Sequence, residues 1–245
     1  MPVPLLIALQ FLTRLPITLR RQPADTDSGA SLLYYPLVGL LIGILMLLLA
    51  YLSRGGGPLL QAALVLALWV GITGALHIDG LADVADAWVG GQGDRQRTLQ
   101  LMKDPTCGPM AVSVVVIMLL LKLAALHSLL QKGDWSLLLL VPALGRGSLV
   151  AAFLFIPYIR AGGLGAVLVA NLPAAPARWL LLGGGLASVL VWGMVAAAMI
   201  GAAGLLFLFC HRALMQRIGG LTGDAAGALC ELTETLVLIV AVLAM

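Results

Sequence analysis

Only eleven of the 245 residues are acidic, and their placement carries the first chemical signal. Asp79, Asp83 and Asp86 fall in the run His77-Ile78-Asp79-Gly80-Leu81-Ala82-Asp83-Val84-Ala85-Asp86, at steps of four and seven from Asp79. On a helix turning about 100° per residue, Asp83 and Asp86 both lie within about 40° of Asp79. Like charges on one face repel, and a cation among them relieves the repulsion. Oxygen-only donors favour Mg²⁺, Mn²⁺ or Ca²⁺ over zinc. The plain alternative is a solvated helix end or a set of caps. Against it, Gly80-Leu81 and Val84-Ala85 make the other faces apolar and turn the acids towards a protein cleft. His77 points roughly opposite Asp79, as a ligand, a phosphate donor or an interfacial polar residue.

A second acidic block follows a glycine-rich turn. Gly219-Gly220-Leu221-Thr222-Gly223 precedes Asp224, and Glu231 shares the Asp224 face seven residues on. Glu234 lies about 60° from Glu231. Backbone N–H groups of such a turn, around Thr222 and Gly223, suit an anion, although most glycine turns merely connect helices. Lys103-Asp104-Pro105-Thr106 precedes another apolar run. Pro105 favours an extended Asp104 and a helix start just after it. Asp104 reads as a further ligand with Lys103 on phosphate, or as a cap beside a snorkelling lysine. Arg146, between two glycines in an apolar run, needs an acid or a phosphate beside it. Lys122 and His127 read as near the outer surface, where Lys122 can snorkel.

Clustered carboxylates, basic residues and a glycine turn suit phosphoryl transfer. No Walker loop, Rossmann glycine pattern or serine elbow is present, so the substrate must bring its own activated phosphate.

Long apolar runs must position these groups. Apolar residues make up 61% of the chain and charged ones 10%, far from the roughly 45–50% and 25% of soluble domains. A bilayer is therefore the solvent, and a net charge of +3 fits loops on an anionic leaflet better than a nucleic-acid site. A span needs about 20 apolar residues. Runs at 32–52, 55–76, 109–130, 135–158 and 225–245 qualify, whereas 3–12 is too short and reads as interfacial. The run 179–209 has 31 residues, long for one span and short for two. Basic residues crowd the segments 1–31, 79–108, 159–178 and 210–224, while the turns between carry only Arg54 and Lys132. With basic segments inside, the 179–209 run must cross twice, turning near Trp192-Gly193. The expected architecture is an all-α polytopic helical bundle of about seven spans, six if that run crosses once. The N-terminus is expected to be cytoplasmic, and 1–245 to form one integral-membrane domain with 1–31 as a cytoplasmic, interfacial segment. Prolines and a lone Arg14 in residues 1–16 argue against a cleavable signal peptide. Three cysteines in no spacing motif read as free thiols.

At these residues the sequence resembles the cobalamin synthase, or adenosylcobinamide-GDP ribazoletransferase, family nearly end to end. The resemblance rests on Phe11-Leu12-Thr13-Arg14-Leu15-Pro16, Tyr35-Pro36-Leu37-Val38-Gly39, the His77–Ala87 block, Met102-Lys103-Asp104, Gly219–Asp224, Gly227-Ala228 and Glu231-Leu232-Thr233-Glu234. The two acidic blocks in this order are the specific part. The resemblance implies a Mg²⁺-dependent transferase of late vitamin B12 synthesis in the bacterial inner membrane, with a cytoplasmic active site. It would join adenosylcobinamide-GDP to α-ribazole or its 5′-phosphate and release GMP. On this reading Asp79, Asp83, Asp86, Asp104 and Asp224 bind metal, with Asp83 favoured as the base. Asp83, Lys103 and Arg146 serve catalysis; His77, Lys103, Arg146, Thr222, Gly223 and Glu231 serve substrate binding. Where relatives carry a Ser-Arg pair after the Lys-Asp, this chain has Pro105-Thr106, so Arg146, Arg212 or Arg217 would contact phosphate instead. A homo-oligomer is compatible with all of this. The rivals are a CDP-alcohol phosphotransferase, whose Ala-Arg pair is missing after Asp79-Gly80, and a cation-coupled transporter. A transporter would place acids at the midplane and show inverted repeats.

Overall fold

The computed structural model describes every residue except 20 and 21. Arg20 and Arg21, two of the basic residues of the N-terminal segment, therefore lie outside the described residues. Among the described residues the chain is helical with no strand, the only bridging pair being Tyr158–Leu221. The interfacial expectation for the start corresponds to a ten-residue helix, α1 (Val3–Leu12), which buries Ala8, Leu9 and Leu12. A short α2 (Asp25–Ser31) leads into α3 (Tyr35–Leu52).

In lipid, apolar side chains gain little by meeting each other, so small residues that let backbones approach decide packing. α3 shows this against α8 (Leu137–Phe155). A Cβ at Gly39 would lie 2.4 Å from the Pro142 carbonyl oxygen, and one at Gly43 2.6 Å from that of Leu138. α4 (Pro58–Thr73) returns, pinned to α3 by the Gln61 side-chain amide donating to the Ala50 carbonyl at 2.6 Å. It ends at Gly74 and Ala75, both left-handed (φ 62° and 57°). The chain then turns by 86° into α5 (Leu76–Gly90). Hence α5 runs across the end of the bundle instead of through it. After α6 (Arg95–Leu101) come α7 (Pro109–Lys132), α8 and the short α9 (Leu164–Ala170).

α10 (Ala174–Arg217) is 44 residues long and breaks at Gly193, whose φ of 61° and ψ of −138° no helix contains. The two limbs fold back on one another. A Cβ at Gly185 would touch Ile200 at 4.0 Å, whereas a straight helix would hold those residues about 22 Å apart. The tip is fixed where the Trp192 indole N–H donates to the Ser136 hydroxyl at 2.9 Å. The run 179–209 thus doubles back at Gly193, where the flanking charges call for a turn and where its length alone leaves one or two crossings open. α11 (Gly223–Ala244) closes the chain. α3, α4, α7, α8, both limbs of α10, and α11 make seven apolar helical limbs, compatible with about seven spans, and α5 lies across one end.

α8 and α11 form the centre: 67% of the apolar window of each is buried, against 22% for α7 and 11% for α10. The remaining surface of α7 and α10 carries side chains such as Leu120, Leu190 and Phe209, which suit contact with acyl chains.

Candidate active site

Three segments are tied together where α11 begins. The turn before α11 pairs with the segment after α8. Leu221 N–H donates to the Pro157 carbonyl at 2.8 Å, and Ile159 N–H to the Leu221 carbonyl at 3.0 Å. Only glycine fits position 220, since a Cβ there would lie 2.3 Å from the Pro157 oxygen. The Thr222 hydroxyl accepts from the Ala225 N–H at 3.1 Å and caps α11. Asp224 then sits in the first turn, where the helix dipole favours an anion. The pairing also carries Arg160 to Asp224, with 3.2 Å between guanidinium and carboxylate.

α5 crosses α11 at the same place, glycine against backbone on both sides. A Cβ at Gly80 would lie 2.7 Å from the Asp224 carbonyl oxygen, and one at Gly227 3.3 Å from the His77 Cα. Asp79, His77, Gly223 and Asp224 line a cavity of about 440 Å³ together with Tyr158 and Arg160. A smaller cavity of about 240 Å³ lies against Lys103, Met102 and Thr222. Arg160 and Asp224 line both.

Asp83 is half-buried one turn along α5. Partial burial, followed by the charges of Asp79, Asp224 and Asp86, pushes its carboxyl up to about 6, with Arg160 opposing. Burial and the neighbouring carboxylates act in the same direction here, each disfavouring the ionised form. Asp79 and Asp83 take part in no ion pair among the described residues. Asp86 is engaged: it accepts the backbone N–H groups of Gly108 and Ala111, at 2.5 and 2.9 Å. It thereby caps α7, whose own cap residue, Gly108, has no side chain. Asp104 is exposed, and the Thr106 N–H and hydroxyl bind it at 2.9 and 2.6 Å, which holds its carboxyl below the usual range. The structure thus brings Asp79 and Asp224 together on the larger cavity, holds Asp83 within reach of their charges though lining neither cavity, gives Asp86 a capping role, and leaves Asp104 outside both cavities.

Among the described residues no three His, Cys, Asp or Glu side chains converge into a ready metal cage. Mg²⁺ needs none, because it keeps several waters and takes one or two carboxylates plus substrate phosphates. Asp79 and Asp224, the two carboxylates on the larger cavity, are donors of that kind.

Arg146 and Glu231 sit elsewhere than the substrate-binding reading places them. The Arg146 side chain is fully buried and pairs with Glu234, so the ion-pair alternative is the one observed. Glu231 pairs with Lys122 at 2.5 Å, and Lys122 also reaches Glu234 at 2.9 Å. Lys122 does not snorkel: it is 3% exposed and lies over the Trp69 ring at 4.1 Å. Two cations and two anions cancel inside the bundle, which offsets part of the cost of charge there, while Nε and Nη2 of Arg146 are buried without a hydrogen-bond partner. His77 is buried, lines the larger cavity, and has an unpartnered Nδ1. Arg217 donates to the Trp88 carbonyl at 2.6 Å and to the Thr98 hydroxyl at 3.0 Å, bracing α10 against α5 and α6. Arg212 is exposed and lines neither cavity.

Sequence reasoning missed Arg160 and Tyr158. Arg160 entered only as a loop charge, and no local pattern marks it. A pairing between residues 158 and 221 brings both to the site.

A family model described as Cobalamin-5-phosphate synthase matches residues 4–242. A protein of Stutzerimonas stutzeri (strain A1501) named adenosylcobinamide-GDP ribazoletransferase is 54% identical over 97% of this chain and 96% of its own. One of the same name from Ectopseudomonas mendocina (strain ymp) is 57% identical over 93% of each chain. Another, from Pseudomonas aeruginosa (strain UCBPP-PA14), is 52% identical over 96% of each. No solved structure matches the chain. With the family pattern covering almost every residue and the relatives aligning end to end, the chain belongs to the cobalamin-5-phosphate synthase family.

Proposed function

We propose that this multi-pass membrane protein joins adenosylcobinamide-GDP to α-ribazole, or to its 5′-phosphate, and releases GMP in late vitamin B12 synthesis. The observation that carries the reading is the meeting of Asp79, Asp224 and Arg160 on one cavity at one end of the bundle. The two carboxylates suit a divalent cation, and the Arg160 guanidinium, which lines the adjoining smaller cavity as well, suits the diphosphate that the cation would neutralise. Family membership supplies the substrates.

The ribose 3′-hydroxyl of the acceptor attacks the phosphorus attached to cobinamide. A new O–P bond forms, the bridging O–P bond of the diphosphate breaks, and GMP leaves with that oxygen. Asp83 accepts the hydroxyl proton; a carboxyl with a pKa of about 6 is a stronger base than free aspartate and stays ionised at neutral pH. Asp79 and Asp224 would hold Mg²⁺, which when bound offsets charge on the phosphate oxygens and the leaving group. Arg160 orients the diphosphate. The basic residues Arg95, Arg97, Lys103, Arg160 and Arg217 stand at this end, and Arg54 and Lys132 at the other. That asymmetry supports a cytoplasmic site in the inner membrane.

The test uses purified protein in liposomes with adenosylcobinamide-GDP, α-ribazole and Mg²⁺, following GMP and cobalamin. Asp83→Asn should lower turnover by about 10²–10⁴-fold with the fold intact. Full turnover in that variant would remove Asp83 from the mechanism.

A further inference from the structure

The two cavities share a wall but differ in lining. The larger, of about 440 Å³, carries the rings of Phe11, Tyr35, Phe153 and Tyr158. The smaller, of about 240 Å³, has no aromatic ring and holds Lys103. Arg160 and Asp224 stand between them as an ion pair, with the Arg160 side chain 42% exposed and so free to swing.

Size and chemistry divide the reactants. Small-molecule sites run roughly 300–1,000 Å³. The larger cavity falls inside that range and suits a flat base with its ribose. The smaller falls below it and suits phosphate groups, the bulk of their molecule staying outside. Aromatic walls favour stacking with a base, which needs no hydrogen-bond code. The Phe153 and Tyr158 rings lie 6.0 Å apart and tilted by 35°, and Tyr158 is seated against Gly165, where a Cβ would lie 2.4 Å from its ring. Such a ring is already ordered before a ligand arrives.

We infer that the larger cavity is the acceptor subsite, taking the base and ribose of α-ribazole. Lys103 and Arg160 take the diphosphate of the nucleotide donor at the smaller cavity. This rests on the transferase reading above. Arg160, already the group that orients the diphosphate, then also stands at the boundary between the two subsites. In the absence of donor it pairs with Asp224. An arriving diphosphate offers the guanidinium a bidentate partner, and Asp224 is released to face the cation. The arrangement puts the acceptor hydroxyl and the phosphorus on opposite sides of the shared wall, so that attack occurs where the cavities meet.

The experiment measures KM for each substrate separately in liposomes. Wild-type turnover comes first: if no GMP is released, the transferase reading fails and this subsite assignment falls with it. With an active wild type, Tyr158→Ala should raise KM for α-ribazole about tenfold, and Phe153→Leu, which only loosens the buried ring supporting Tyr158, should raise it less. KM for adenosylcobinamide-GDP should stay within about twofold. Lys103→Ala and Arg160→Ala should do the reverse, with Arg160→Lys partly restoring donor KM, a recovery that a merely structural arginine would not show. A crossed pattern, or equal changes in both KM values, would overturn the assignment while leaving the transferase reading in place.

Discussion

Gly80→Ala adds one methyl at the α5–α11 crossing. Its Cβ would lie 2.7 Å from the Asp224 carbonyl oxygen, 3.1 Å from its Cα and 3.3 Å from its carbonyl carbon. Ordinary contact begins at 3.4 Å, so the helices must part by about 0.7 Å. The atoms met are backbone and cannot rotate away. Overpacking of this kind costs roughly 1–3 kcal/mol, a fraction of the roughly 5–15 kcal/mol that holds a domain, so the protein should still fold. The larger effect is on geometry, because Asp79 rides on α5 and Asp224 on α11. A displacement near 1 Å between reacting groups costs on the order of 10²-fold in rate. The assay compares GMP release per mole of monodisperse protein with the thermal midpoint in the same detergent. Gly71→Ala is the control: it lies in α4, and a Cβ there meets nothing within 4 Å. That variant should match or slightly exceed wild-type stability and keep full activity. If Gly80→Ala turns over at the wild-type rate, the crossing does not set the distance between the two carboxylates and the geometric argument fails.

Three further outcomes are expected. Lys122→Met leaves Glu231 and Glu234 short of a cation inside the bundle and should cost about 3–5 kcal/mol; pairing it with Glu231→Gln should restore part of the loss in a denaturation series, and no recovery would mean that the charges are not coupled. Asp86→Ala removes the cap on α7 and should cost about 0.5–2 kcal/mol, with a smaller fall in turnover than Asp79→Asn; equal falls would make Asp86 part of the chemistry. Cys107 is an exposed free thiol beside Lys103, so an impermeant maleimide should label it in inside-out vesicles and spare it in intact spheroplasts. Labelling from the outside would invert the proposed topology.

Much of this was legible in the sequence because lipid imposes simple rules. The basic segments bounding a 31-residue apolar run favour a turn within it over one long tilted helix, and the chain turns at Gly193, the position in α10 that leaves helical geometry. The face of Asp79, Asp83 and Asp86 followed from helical period alone. What stayed hidden depends on partners distant in the chain. Asp86 serves a helix whose cap residue, Gly108, lies 22 residues later, so its spacing alone could not separate a cap from a ligand. Lys122 looked like a surface lysine because hydropathy reports length and composition, not which helix stands opposite. Arg160 reached the site through two backbone hydrogen bonds, which leave no mark on the side-chain pattern.

The four cancelling charges also constrain how the chain enters the bilayer. α11 carries Asp224, Glu231 and Glu234 and is a poor candidate for insertion by itself. α7 and α8, made earlier, each bring one unneutralised cation, Lys122 and Arg146, into the membrane. Neither side is comfortable until the other arrives, so these three helices should integrate as a set, with the earlier pair waiting near the insertion machinery. A chain stopped before α11 would display two orphan cations in lipid, the kind of exposed charge by which membrane quality control can recognise an unfinished protein.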